Sequence, residues 1–161
     1  MIFLTVAGIG GDWMGRMKPF KNLSLRENEA LLKFPAYISL LAANSDGIFD
    51  EAEKKAAVNF AHMKTFSCHP LLTAFYSEVE KGFGYTLEQL DKELPGEKEG
   101  REAAIKNEIM KLEKIVLKLG KIYSRTFHQS MKSFKEHIFK AHHSVIMDFV
   151  LPLPIPGLTD G

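Results

Sequence analysis

Read for spacing alone, the chain from residue 24 onward is a succession of helical stripes. Leu31, Phe34, Ile38 and Leu41 recur three or four positions apart, the period that puts side chains on one face of an α-helix. Ser24 with Glu27 forms a capping box that starts this run, Pro35 is expected to kink it, and Asn44-Ser45-Asp46-Gly47 ends it. Asp50 and Glu53 cap a second helix, with Ala52, Ala56, Phe60 and Met63 as its expected buried stripe and an end near Phe66. A third helix opens at Pro70, carries Leu72, Phe75, Tyr76 and Val79, and is expected to stop around Gly82 to Gly84. Thr86 and Gln89 would then cap a short fourth helix bearing Leu87, Leu90 and Leu94, which Pro95-Gly96 terminates.

From Glu99 the helical pattern continues through Ile105, Ile109, Leu112, Val116, Leu119, Tyr123, Phe127, Met131, Phe134, Ile138 and Val145. A single rod of that length would span roughly 75 Å at 1.5 Å per residue, against a radius of gyration of roughly 15 Å for a compact domain of this size. The run must therefore fold back, at Gly120 or within Ser124 to Thr126. No segment alternates with period two strongly enough to propose a sheet. The expectation is an all-α protein, a compact bundle of about six helices, with a leader at 1–23, a helical domain at 24–149 and an extended proline-rich tail at 150–161. Alternate prolines at 152, 154 and 156 keep that tail from forming a helix. Its leucines and Ile155 are expected to lie in a groove of the same bundle, with a clasp between two copies of the chain as the alternative.

Composition narrows the class. Hydrophobic residues make up 45% and charged residues 25% of the 161 positions, which fits a folded globular chain and neither a disordered nor a membrane-spanning one. The N-terminal apolar run has no basic segment before it and is too short for a transmembrane helix, so no export signal and no transmembrane segment are expected. One cysteine, Cys68, allows neither an internal disulfide nor a cysteine zinc site, which points to a cytoplasmic location. Charge is unevenly distributed: residues 24 to 99 carry 8 Lys/Arg against 13 Asp/Glu, and residues 101 to 149 carry 10 against 5. The halves are thus complementary to each other, and neither is basic enough to predict nucleic-acid binding.

The densest chemistry lies at Leu41-Ala42-Ala43-Asn44-Ser45-Asp46-Gly47-Ile48-Phe49-Asp50-Glu51-Ala52-Glu53, where four carboxylates fall within eight residues. Oxygen ligands at this density suit a hard cation such as Ca²⁺ or Mg²⁺. The loop departs from an EF-hand, because Gly47 comes too early and Lys55 stands where the closing glutamate would be. Caps and turn chemistry account for the same residues without a metal: Asp50 as N-cap, Glu53 completing its box, Asp46-Gly47 as a turn.

The pattern Ala-Ala-x-Ser-Asp-Gly-x-x-Asp-x-x-Glu between an apolar and an alanine-rich helix resembles the TerB-like tellurite-resistance family over residues 24 to about 149. The resemblance implies a helical bundle, a divalent metal at the acidic turn and a place in a stress-response assembly with a protein partner. By motif position it implies Asp46, Asp50 and Glu53 as metal ligands. A second acidic turn, expected from the family's repeated architecture, is missing from residues 101 to 149.

A metal-dependent enzyme using the same carboxylates with a histidine is the rival reading, and a ligand-free interaction module is a third. His128, His137, His142 and His143 do not carry the spacing of a helical two-histidine site or of a Glu-x-x-His di-metal site. His62, His69 and Cys68 likewise lack a partner signature, and neither a Ser/His/Asp set nor a Walker loop is present.

Overall fold

The computed structural model describes residues 19–44 and 50–150, with 141–150 described by backbone only. The N-terminal leader up to residue 18, the turn 45–49 and the proline-rich tail lie outside the described residues. All regular structure among the described residues is helical, with no strand. The α-helices are α1 (Leu25–Leu32), α2 (Phe34–Ala43), α3 (Glu51–Ser67), α4 (Thr73–Glu93), α5 (Lys98–Val116) and α6 (Lys121–Val150). Single 3₁₀ turns at Pro70–Leu72 and Leu117–Leu119 lead into α4 and α6. No helix among the described residues is long and apolar enough to cross a membrane.

Ser24 and Glu27 form the expected reciprocal capping box at the start of α1. The helical run then breaks at Lys33, and Pro35 sits in the first turn of a new helix instead of kinking an old one. A proline there removes an amide that would have had no helical partner anyway. α2 is apolar on nearly every side and contacts each of the other α-helices. Nine of its ten residues are buried, as expected for a helix with no polar face. Ser39, a hydroxyl within this apolar setting, donates to Pro35 O at 2.8 Å.

Around α2 the core is aromatic. Phe127 of α6 meets Phe34 at 5.3 Å and Phe75 at 5.1 Å between ring centroids, both edge-on. Phe134, two turns further along, meets Phe60 at 5.0 Å and Phe83 at 5.8 Å. Edge-to-face pairs of this kind stabilise beyond their area burial. Asn28 fastens the segment that precedes α1: its Oδ1 accepts from Phe20 N, and its Nδ2 donates to the Phe20 and Ser24 carbonyls, all at 2.9 Å. This brings Phe20 into the core.

Further expectations are met in part or corrected. Helical geometry does break at Gly82, whose φ of −142° and ψ of 23° are non-helical, but the chain resumes helix directly after this kink within α4, so the Thr86 cap is not used. Phe83 and Leu87 on the far side of the kink and Val79 on the near side are all buried, so both halves pack into the core. The buried stripe of α3 is Glu53, Ala57 and Ala61, one position round from the expected one; Ala52 is exposed and Met63 is 51% exposed. Small alanines let α3 approach α4 and α6 closely, while Phe60 packs at the flank.

The last long run divides at Gly120, the first of the two expected positions. Its φ of 92° and ψ of 166° belong to a region that only glycine enters readily. The complementary halves meet through Lys118 and Glu27, which form an ion pair, and within the Pro95 turn Arg101 pairs with Asp91 while also donating to the Asp91 and Pro95 carbonyls.

Space is available for a methyl group at both Gly82 and Gly120. Gly120→Ala is therefore expected to lower unfolding free energy by about 1–3 kcal/mol through backbone strain alone, and Gly82→Ala to leave it nearly unchanged, as read from urea denaturation. Asn28→Ala strands buried backbone groups of residues 20 to 24 and should cost about 1–3 kcal/mol in the same assay.

Candidate functional site

The acidic turn is built by two fixed ends. α2 finishes at Ala43, and Asn44 follows it, buried, donating through Nδ2 to Lys98 O at 3.2 Å at the start of α5. On the far side, Asp50 takes extended backbone as the N-cap of α3. Asp50 Oδ1 accepts from Glu53 N at 2.8 Å, and Glu53 Oε1 accepts from Asp50 N at 2.9 Å. Glu53 is 0% exposed, Asp50 half-buried. A carboxylate withdrawn from water in this way requires compensating donors or cations, and the amides at the positive end of α3 supply part of that compensation.

Of the four carboxylates in this segment, Asp50 and Glu53 thus share a capping box. Glu51 points outward and bonds Lys54 at 3.1 Å, which in turn reaches Glu88 on α4 at 3.3 Å. The contact with Glu51 raises the Lys54 pKa above its ordinary value. Asp46, the remaining residue of the expected metal set, lies outside the described residues. The structure therefore brings Asp50 and Glu53 together at one helix start and leaves the geometry of the full Asp46, Asp50, Glu53 set undescribed. Among the described residues no three His, Cys, Asp or Glu side chains converge as ligands.

The histidines whose side chains are described sit at other places. His62 contacts Glu80 across α3 and α4, His128 Nε2 lies 2.6 Å from Glu113 Oε2, and His137 stacks on Phe60 at 4.0 Å between ring centres. Burial, reinforced by Lys140, holds the His137 pKa below its ordinary value. His69 serves as the cap of the 3₁₀ turn, accepting from Leu71 N at 3.1 Å. Cys68 Sγ approaches Thr73 Oγ1 at 3.9 Å.

Spacing marks Tyr76 as a core residue only. It also carries a buried polar contact, 2.5 Å from Ser130 Oγ, and burial pushes its phenol pKa far above the ordinary tyrosine range. The sequence could flag Ser130 only as a polar residue on the inner face of the last helix.

No family model, no curated protein and no solved structure matches this chain. The likeness to the TerB-like family accordingly rests on the residues of the turn.

If Asp50 acts chiefly as a cap, Asp50→Ala should destabilise by about 1 kcal/mol and Asp50→Asn by much less, because asparagine is an equally good N-cap. Thermal and urea denaturation in excess chelator check this ordering.

Proposed function

We propose that this chain is a non-enzymatic, TerB-like bundle of about six helices, whose acidic turn takes a divalent cation and whose outer surface contacts a protein partner in a cytoplasmic stress-response assembly. The observation that supports it most is Glu53, a carboxylate wholly withdrawn from solvent at the base of a turn that also bears Asp46 and the half-buried Asp50. Oxygen-only donors on a short segment between two pinned helix ends suit Ca²⁺ or Mg²⁺ better than a softer metal. The set is smaller than that of an EF-hand, so the affinity is weak. For the partner, α3 offers Phe66 at 79% exposure, with Met63 beside it on the outer face.

The capping box favours a second reading, a ligand-free interaction module, since it gives Asp50 and Glu53 a local task without a metal. Calorimetric titration with Ca²⁺ and Mg²⁺, together with melting curves, separates the two. An ion that binds only the folded state raises the melting temperature as its concentration rises. That rise is expected for the natural chain and should vanish in the Asp46→Asn, Asp50→Asn double variant, in which the second substitution keeps the helix cap and loses the charge. Identical melting of both proteins at millimolar ion would leave only the ligand-free module.

A further inference from the structure

Remote from the acidic turn, the C-terminal half of α3, the turn that follows it and the first third of α6 border an open recess of about 150 Å³, lined by Lys64, His69, Leu72, Thr126, Gln129 and Ser130. Among the described residues that line it, every polar side chain can donate a hydrogen bond and none is a carboxylate. Lys64 forms no ion pair among the described residues; its Nζ lies 5.4 Å from the centre of the Phe60 ring, a cation–π contact that leaves the ammonium's donors unspent. Burial holds its pKa below the ordinary value, with the Cys68 thiol opposing the shift. An anion arriving beside it would relieve that penalty.

The neighbouring groups are arranged to donate as well. His69 Nδ1 accepts from Leu71 N, which places the ring proton of the neutral imidazole on Nε2. The Tyr76 and Ser130 hydroxyls share a buried hydrogen bond in which either can donate. With Tyr76 as donor, the Ser130 hydroxyl proton is open to a further acceptor, and Thr126 and Gln129 add a hydroxyl and an amide on the same stretch of α6. Among the described residues, one cation and several neutral donors without an acid form the complement of an oxyanion. The volume lies below the roughly 300–1,000 Å³ of pockets that enclose whole drug-sized ligands, so it suits a single charged group.

We propose that this recess binds a small oxyanion, a phosphate or carboxylate group, with Lys64 supplying the charge and Thr126, Gln129, Ser130 and His69 supplying neutral hydrogen bonds. The site is independent of the acidic turn and stands whether or not that turn holds a cation. The experiment is a calorimetric and NMR titration of the full chain with inorganic phosphate, acetate and glycerol 3-phosphate, at ionic strength held constant with chloride. Saturable one-to-one binding of at least one probe is expected. Lys64→Gln should weaken it by about tenfold or more, the loss that follows from removing a charged hydrogen bond, and Thr126→Val by a smaller factor. Lys64→Arg, which keeps the charge, should retain binding, and circular dichroism checks that each variant folds. Tighter binding of the ester than of the free ion supports a phosphate group on a larger molecule, the reverse supports the free ion, and a preference for acetate supports a carboxylate. Absence of saturable binding by all three probes, or equal affinity in folded Lys64→Gln, overturns the proposal.

Discussion

The structure depends on the burial of α2. Ten residues with almost no polar side chain cannot lie at a surface, so every other α-helix is drawn against them, and the chain takes the form of a shell around a short central rod. Such a rod has peptide groups at both ends that need partners away from water. Pro35 removes one of the unneeded amides, Lys33 O accepts from Tyr37 N at 3.0 Å, and Asn44 reaches across to Lys98 O. The same solution that makes the centre apolar therefore fixes where the acidic turn begins.

Polar groups buried among the described residues are few, and each fastens either a nearby turn or an element distant in sequence. Asn28 holds the segment from Phe20 to Ser24, Arg101 closes the Pro95 turn, and the Tyr76 and Ser130 contact joins α4 to α6. Each such group is costly unless its hydrogen bonds are made, which ties the register of neighbouring helices more tightly than apolar packing alone would. The aromatic core contributes adhesion; these contacts contribute alignment.

Both proposed sites follow from that alignment. The acidic turn spans the gap between the end of α2 and the cap of α3, two points fixed by α5 and by the capping box. The basic recess lies at the other end of α3, where the helix has run seventeen residues and come against α6. One helix thus carries acidic groups in its first turn and a lysine in its last, an order that also suits its macrodipole.

Helix starts were legible in the chain because a cap is settled within four residues: Ser24 with Glu27 and Asp50 with Glu53 both form the boxes their spacing implies. Gly120 was legible as a break because its backbone conformation is one other residues avoid. The all-helical character followed from period alone. That helix would resume directly after the break at Gly82, with no cap at Thr86, depended on Phe83 and Leu87 finding the core, and the turn of α3 toward Ala57 and Ala61 depended on how closely α4 and α6 approach it. Lys64 reads in the sequence as one more charge on a helix. Only its packing over Phe60 and beside Thr126 and Ser130, which come from a distant part of the chain, makes it half-buried in a recess of hydrogen-bond donors, because local rules govern where a helix begins while long-range contacts govern which of its faces meets what.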